Sequence, residues 1–378
     1  MNEFFFFYGT LCHGPLRDAV LGACLPVQPA HWSGHALAEA CAGGQPLGFP
    51  LPVAAPAGAL SGVLLALSPD QAARLAYYEA GYRCRRETVL GPEGPQEAWV
   101  FHPEPGRWQP GGAWDFARWQ AAQGALATAA AAEFLRGFGT VAPEAALARY
   151  PQMLVRAASK LRAETAPPAM APRRDVAAGD VEIVSSSTGY AHFFAVEDYR
   201  LRHATFAGGQ SATLERAVFV SGDAACVLPY DPLRDRVLVI EQFRPGPMAR
   251  GEANPWMLEP IAGRVDPFET PEQAVRREAG EEAGLTVGRL IAAPAYYPTP
   301  GAKSEFIYNF IGLTDLPDGA GRPGGVAEEG EDIRPHLLSC DALEALLAAG
   351  ELRNGPMVML ALWLARLRPD LRAGLRSD

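Results

Sequence analysis

The chain has 378 residues, of which 48% are apolar and 20% charged, and its 33 basic and 43 acidic residues give a net charge of −10. At about 150 residues per domain, this length predicts two domains, each long enough to bury a core. The composition excludes wholesale disorder. The acidic balance argues against a nucleic-acid partner, which would need a basic face.

The chain also lacks the marks of a membrane or secreted protein. No apolar stretch reaches the roughly 18 residues that a membrane-spanning helix needs. The apolar run at 3–8 has no basic segment before it and meets Gly9 and Thr10 at once, so we interpret it as a buried strand and not as a signal peptide. The six cysteines show no CxxC spacing, which favours reduced core thiols. These observations predict no membrane contact and a cytoplasmic location.

The first third of the chain favours a small β-rich unit, which we place at 1–112. The run at 3–8 predicts a core strand that feeds a tight turn. Many glycines and prolines interrupt 14–110, and short strand candidates remain at 60–67 and 97–102. A helix is predicted over 69–79, because Ser68 can cap it and Pro69 suits its first turn.

The composition then changes twice. The Ala-rich segment 114–136 predicts a helix that Gly137 and Gly139 end. A second helix is predicted over 143–164, so that 113–164 forms a helical hairpin. The Pro-rich segment that follows predicts a linker at 165–177 and a C-terminal domain at 178–378.

The second half predicts a sheet flanked by helices. Strand patterns occur at 181–187, 190–206, 215–222, 224–231, 236–244, 290–297 and 305–312. Helices are predicted over 271–283, 341–348 and 355–368, and an acidic loop at 326–332. This order of elements is typical of an α+β or α/β sandwich.

One segment is far more specific than the rest. It runs from Gly263 through Glu269 to REAGEEAGL at 277–285. In a helix, Glu278, Glu281 and Glu282 occupy positions i, i+3 and i+4 and share one face, where their charges repel. Divalent cations would remove that repulsion, and such oxygen-rich sites suit Mg²⁺ or Mn²⁺. The alternative, a solvated acidic face, explains poorly why seven residue types stand at fixed offsets.

The same spacing is the Nudix box, and the chain resembles a Nudix hydrolase. Over 180–370 it is similar to the ADP-ribose pyrophosphatase branch, on the segments RVLVIEQFR, PWMLEPIAGRVD, YYPTPG and EEGEDIR. The resemblance implies an α/β/α sandwich, Mg²⁺ dependence and hydrolysis of a nucleoside diphosphate joined to another group. It also implies a homodimer.

The resemblance assigns roles to particular acidic residues. The metal ligands would be the Ala262 carbonyl and the side chains of Glu278, Glu282 and Glu331, with Glu281 as a further or bridging ligand close to the chemistry. Glu329 would be the general base that accepts a proton from water. Within 328–331 the identity of the base stays open.

The resemblance also implies substrate contacts. Arg244 would contact the diphosphate, because its fork geometry matches phosphate oxygens. Arg216 and Tyr199 would contact the nucleotide, from the same or the partner subunit. Thr299 and Glu305 would shape the pocket for the terminal ribose.

The N-terminal segment resembles a gamma-glutamylcyclotransferase-like (AIG2-like) domain. The similarity rests on Tyr8-Gly9-Thr10-Leu11 after the first strand and on RLAYYEAGYRCRRETV at 74–89. It implies that Glu79 transfers protons and that backbone N–H groups of the turn formed by Tyr8, Gly9, Thr10 and Leu11 hold a substrate carboxylate. The alternatives are a structural role for Glu79 and an accessory domain without chemistry.

The sequence therefore leaves three functions open for the second half. The first is hydrolysis of ADP-ribose to AMP and ribose 5-phosphate. The second is the same chemistry on another nucleoside diphosphate sugar, such as GDP-mannose. The third is a sensor that binds a nucleotide without cleaving it, which the completely filled box opposes.

Overall fold

The computed structural model describes residues 2–167, 170–326 and 330–374. They group into two compact units, Met1–Ala157 and Ala158–Asp378. Within the described residues, no helix combines the length and the apolar character that crossing a membrane requires.

The N-terminal unit is built on a six-stranded sheet with helices outside it. The strands are β1 (Glu3–Phe7), β2 (Gln28–Ala42), β3 (Gln45–Leu67), β4 (Tyr82–Gly91), β5 (Gly94–Pro103) and β6 (Gln109–Ala113). The helices are α1 (Gly14–Leu21), α2 (Pro69–Tyr78), α3 (Phe116–Phe134), α4 (Pro143–Ala148) and α5 (Tyr150–Glu164). The strand order is β3-β1-β5-β4-β2-β6, and the extra pairing of β2 with β3 closes the first five strands into a ring.

Alternation along β1 separates two cores. Phe6 packs with Trp32 and Leu64 in one apolar cluster. Its neighbours Phe5 and Phe7 point the other way, into the cluster that contains residues of α1, α2 and α3. Successive strand residues face opposite sides, and so the FFFF run can supply both cores at once.

The structure confirms some of the helices and strands predicted for the N-terminal unit and differs from others. The helix predicted over 69–79 is α2, and Ser68 and Gln71 form a capping box at its start. The helix predicted over 143–164 is interrupted at Arg149, where α4 ends. The strand candidates at 60–67 and 97–102 are parts of the longer β3 and β5. The sequence pattern predicted neither β2 nor most of β3. In β3, the prolines in 46–56 argue against a strand interior.

The C-terminal unit holds two sheets. Its strands are β7 (Val181–Ala191), β8 (Ala195–His203), β9 (Leu214–Val220), β10 (Ala224–Asp231), β11 (Arg236–Phe243), β12 (Trp256–Glu259), β13 (Ile261–Arg264), β14 (Leu290–Tyr296), β15 (Ile307–Leu313) and β16 (Arg334–Ser339). Its helices are α6 (Pro245–Arg250), α7 (Pro271–Ala283), α8 (Cys340–Ala348) and α9 (Gly355–Gly374). Strands β7, β8 and β9 form a separate sheet, and the predicted single strand at 190–206 is broken where β7 turns into β8.

The larger sheet is the middle layer of a sandwich. Its order is β12-β11-β10-β15-β14, with β13 paired to β10 and β16 paired to β11. On β10, Ala225 and Val227 pack in the cluster that contains α7. The intervening Cys226 and Leu228 pack in the cluster that contains α8 and α9. The predicted α/β/α sandwich is confirmed, and it fixes α7 against the strands that carry the Nudix motif.

A buried ion pair joins this sandwich to the end of α5, whose residues from Ala158 onward belong to the C-terminal unit. Asp223 is 3% exposed. Its carboxylate accepts hydrogen bonds from Ser159 Oγ at 2.6 Å and Arg162 Nε at 2.7 Å. Its carbonyl accepts the N–H of Val265 at 3.0 Å. Asp223 therefore joins three segments that are distant in the sequence, next to the end of β13.

We expect Asp223→Ala to destabilise the protein by about 3 kcal/mol, because it leaves the Arg162 guanidinium without its buried partner. Urea unfolding of the full chain measures the change. The matched control is Asp315→Ala, whose carboxylate pairs with Arg234 at the surface with 74% of its side chain exposed. That variant should change stability by about 0.5 kcal/mol or less. Equal effects of the two substitutions would contradict the structural role of Asp223.

Candidate functional site

Helix α7 holds the Nudix carboxylates because both of its ends are well defined. Thr270 and Gln273 form a capping box at the start. Gly284 ends the helix with φ of +63°, in the left-handed region that favours glycine. Glu282 is 1% exposed, and its Oε2 accepts the N–H of Ala262 on β13 at 3.1 Å. The predicted ligands Ala262 and Glu282 are thus in direct contact.

Gly263 lets β13 approach the helix. A Cβ atom at this position would lie 1.7 Å from Oε1 of Glu278. Any side chain at Gly263 would therefore displace the Glu278 carboxylate. The motif requires glycine here because of close packing, and not because of an unusual backbone angle.

Arg277 organises the carboxylate cluster. Its guanidinium donates to Oε1 of Glu269 at 2.7 Å, to Oε1 of Glu278 at 2.7 Å and to Oε2 of Glu281 at 2.9 Å. It also donates to the carbonyl of Arg264 on β13 at 3.2 Å. A single cation therefore offsets the repulsion among three acids and ties them to the strand. The sequence assigned no role to Arg277, although it is a fixed position of the motif.

Burial raises the pKa of Glu282 to about 9 and that of Glu278 to about 7. The charge of Glu331 contributes to both increases, whereas the Ala262 N–H opposes that of Glu282 and Arg277 opposes that of Glu278. Ionising both acids together would therefore place more negative charge here than the neighbouring cations offset. A hard divalent cation fits this donor set of buried carboxylate oxygens.

The distal acidic loop is anchored on the end of α7. The N–H of Gly325 donates to the Glu281 carbonyl at 3.1 Å, and the N–H of Arg322 donates to the Ala283 carbonyl at 3.0 Å. Oε2 of Glu331 accepts the N–H of Val326 at 3.0 Å. The predicted base Glu329 lies outside the described residues. Among those described, no three His, Cys, Asp or Glu side chains converge into a complete metal site.

Arg244 is engaged by a buried acid. Its Nη2 donates to Oε2 of Glu259 at 2.6 Å, and its Nε contacts both oxygens of that carboxylate. Glu259 is 3% exposed. Burial lowers the pKa of Arg244, but Glu259 and the negative charges of Glu282 and Glu331 raise it overall. The pair thus presents an oriented guanidinium near the α7 carboxylates.

The remaining predicted substrate contacts lie in two other places. Tyr199 and Arg216 face each other across β8 and β9 in the smaller sheet, and the Tyr199 hydroxyl donates to Glu197. The Thr299 carbonyl accepts the N–H groups of Ala302 and Lys303 and so builds a turn. That turn borders a groove of about 330 Å³. Glu305 pairs with Lys303 at 2.9 Å beside it.

The N-terminal unit has its own enclosed site. Tyr8, Thr10, Leu11, Glu79 and Tyr82 are among the residues that line a cavity of about 40 Å³. The structure thus brings the predicted turn and the predicted acid together, although they are about 70 residues apart. Burial raises the pKa of Glu79 to about 7. At neutral pH this carboxyl can both accept and donate a proton.

Two further residues shape the turn that precedes this acid. Gly9 has φ of +65°, and a Cβ there would lie 2.3 Å from Cγ of Pro50, which also lines the cavity. Arg17 is 8% exposed and donates to the carbonyls of Leu11 at 3.3 Å and Cys12 at 3.4 Å. The sequence predicted Gly9 but missed Arg17, since a buried arginine on an amphipathic helix resembles a surface residue.

Comparisons with known proteins match both parts of the chain to protein families. The model of the NUDIX domain family matches residues 220–360. The model described as gamma-glutamyl cyclotransferase, AIG2-like, matches residues 5–116. Both resemblances inferred from the sequence are therefore confirmed.

Individual relatives extend this result. The ADP-ribose pyrophosphatases of Escherichia coli strain K12 and of Haemophilus influenzae are 39% and 37% identical to this chain over 185 and 187 residues. Each match covers 49% of this chain, and 88% and 86% of the respective relative. GDP-mannose pyrophosphatase of Citrobacter koseri is 34% identical over 150 residues, 40% of this chain and 77% of that relative.

A solved structure of an ADP compounds hydrolase is also similar, with 20% identity and a TM-score of 0.40, covering 52% of this chain and 100% of that one. Nudix hydrolases generally depend on a divalent metal. Because the box is complete and the pyrophosphatase relatives match over most of their length, the chain belongs to the Nudix hydrolase family, with an AIG2-like gamma-glutamyl cyclotransferase domain in its N-terminal part.

Proposed function

We propose that the C-terminal unit hydrolyses the diphosphate of ADP-ribose to AMP and ribose 5-phosphate, with Mg²⁺ or Mn²⁺ as cofactor. The observation that carries the proposal is the pair of the partly buried Glu278 and the buried Glu282, which Arg277 and the strand β13 hold in place. The higher identity to ADP-ribose pyrophosphatases than to GDP-mannose pyrophosphatase supports the choice of substrate.

In the proposed mechanism, Glu278, Glu282, Glu331 and the Ala262 carbonyl would hold the cation, and Glu281 would be a further or bridging ligand. Once bound, the cation supplies Lewis-acid polarisation and neutralises charge on the diphosphate. Arg244 orients the diphosphate, whose phosphorus a water attacks in line. Glu329 accepts the proton of that water, and the P–O bond to the leaving phosphate breaks.

Three further assignments belong to the proposal. The chain is divided into a cyclotransferase-like domain at 1–112 and a Nudix domain at 178–378. The helical hairpin 113–164 and the linker 165–177 join them. The chain forms a homodimer in which Tyr199 and Arg216 contact the nucleotide, from the same or the partner subunit. Thr299 and Glu305 border the terminal ribose, as the groove beside them suggests.

A substrate panel tests the proposed reaction. ADP-ribose, GDP-mannose, ADP-glucose and NADH are compared at equal concentration with Mg²⁺, with products separated by chromatography. We expect the highest kcat/KM for ADP-ribose and no turnover with EDTA. A higher kcat/KM for GDP-mannose would identify GDP-mannose as the substrate instead of ADP-ribose. No turnover of any compound would favour the alternative of a nucleotide sensor.

We expect Glu282→Gln to lower Mg²⁺-dependent turnover by at least about 100-fold, because substitutions that only support metal ligands already cost 10–100-fold. The amide keeps the shape of the side chain, so the urea midpoint should stay close to that of the parent protein. Glu272→Gln is the matched control, since this residue lies exposed in the first turn of the same helix. Full activity of Glu282→Gln with normal metal dependence would reject the assignment.

We also expect Gly263→Ala to reduce kcat/KM by about 100-fold, because the added methyl must displace the Glu278 carboxylate by more than 1 Å. Gly280→Ala serves as the control. Its Cβ would meet nothing within 4 Å, and alanine favours the helix by up to about 1 kcal/mol. Activity that survives Gly263→Ala unchanged would show that the contact with Gly263 does not position Glu278.

A second function is favoured by the Glu79 cavity. We propose that the N-terminal unit converts γ-glutamyl amines to 5-oxoproline and the free amine. The α-amine attacks the γ-carbonyl carbon, a new C–N bond closes the ring and the original amide C–N bond breaks. Glu79 takes the proton from the attacking nitrogen and returns it to the leaving amine, so the step needs no water.

The pKa of Glu79 predicts how this activity depends on pH. The deprotonated carboxylate starts the reaction, so 5-oxoproline release should increase as pH rises through about 7. Glu79→Gln should abolish release, whereas Glu93→Gln, an exposed residue of the β4–β5 turn, should not. The measurement is 5-oxoproline release from a γ-glutamyl dipeptide between pH 5 and 9. Undiminished release by Glu79→Gln would favour an accessory domain with a structural Glu79.

A further inference from the structure

The Glu79 cavity has an aromatic rim. Phe49 and Tyr82 line the cavity, and the ring of Trp108 packs against both, with centroid distances of 5.0 Å and 5.2 Å. Trp108 lies in the segment between β5 and β6. It therefore extends the wall of the cavity outward, beyond the residues that enclose Glu79.

The Arg107 guanidinium stacks on this rim in a defined orientation. Its guanidinium carbon lies 4.8 Å from the centroid of the Trp108 ring, a stacking distance that holds the planar group in one orientation. The same guanidinium lies against Gly81, where a Cβ would come within 2.3 Å of Nη1. Gly81 has φ of +98° and stands two residues after Glu79, so Arg107 rests on the turn that carries the acid.

Arg107 forms no ion pair with any carboxylate of the described residues. Glu104, which is close in sequence, accepts the Arg107 backbone N–H on its carbonyl, while its side chain pairs with Arg83 at 3.2 Å. The guanidinium is exposed at the surface of the unit. A stacked arginine with a free fork can bind a carboxylate with two parallel hydrogen bonds.

The size of the cavity decides which part of a substrate reaches this rim. A volume of about 40 Å³ admits the reacting end of a γ-glutamyl group but not a whole substrate. The resemblance assigns the backbone N–H groups of the turn at 8–11 to the α-carboxylate of that group. The leaving amine is therefore the part of the substrate that lies at the rim.

We propose that Arg107, stacked on Trp108, binds a carboxylate on the leaving amine, so that the N-terminal site selects γ-glutamyl compounds whose amine carries an acid over those with a neutral amine. This inference rests on the cyclotransferase function proposed above. Arg107 determines specificity and takes no part in the proton transfer by Glu79.

A matched pair of substrates tests the assignment with the full-length protein. γ-Glutamyl-alanine and γ-glutamyl-alaninamide differ only in the carboxylate of the leaving amine. We expect the parent protein to prefer the acid by about tenfold in kcat/KM for 5-oxoproline release, as one charge-assisted contact implies. Arg107→Ala should bring the ratio close to one by slowing the acid alone. Arg107→Lys should keep part of the preference.

Arg118→Ala is the control variant, since Arg118 is an exposed arginine on α3 and should leave the ratio unchanged. The urea midpoint and the activity on ADP-ribose show whether each variant is folded. An equal rate on both substrates by the parent protein would overturn the inference. An equal loss on both substrates in Arg107→Ala would also overturn it and would place Arg107 on the α-carboxylate. If the parent converts neither substrate, the cyclotransferase function fails and the inference with it.

Discussion

The four-way contact of Arg277 is the constraint on which the C-terminal site depends. Glu278, Glu281 and Glu282 lie within little more than one turn of α7, and on an isolated helix their charges would push the side chains apart. Arg277 draws Glu278 and Glu281 to one guanidinium and adds Glu269 from the loop before the helix. Its further bond to the Arg264 carbonyl ties the cluster to β13. The spacing of the motif thus corresponds to a helix and a strand that the Arg277 guanidinium joins.

The most deeply buried acid of the cluster forms no hydrogen bond with Arg277. Glu282 is bonded to the Ala262 N–H, and its pKa is raised to about 9, chiefly because it is buried. Ionising this group without a partner would cost stability, and a cation that binds beside it would favour the ionised carboxylate. The same physics explains why Gly263 carries no side chain. The strand must come close enough for backbone and carboxylate oxygens to converge.

The buried acid of the N-terminal unit lies in different surroundings. Glu79 is surrounded by the aromatic and apolar lining of a small cavity, and burial alone raises its pKa to about 7. A group of this kind exchanges a proton at neutral pH without a metal, which suits an internal ring closure. The Arg107 guanidinium stacks on Trp108 at the rim of the cavity and does not pair with Glu79. The two proposed functions therefore use buried acids differently, one together with a cation and the other through desolvation.

The sequence by itself determined the two families, the α7 helix with its caps and the acids on one face of it, because these depend on local spacing and on residue types that few other structures require. The order of strands and helices predicted an α+β or α/β sandwich, and the resemblance to Nudix hydrolases implied its α/β/α layers. Only the tertiary structure decided how Arg277 divides its hydrogen bonds, that Glu259 engages Arg244, and that Trp108 and Arg107 border the Glu79 cavity. It also decided the long β2 and β3 strands, whose prolines argue against a strand when read locally. These features depend on which side chains and strands meet in the folded chain, and the periodicity of the sequence does not specify such contacts.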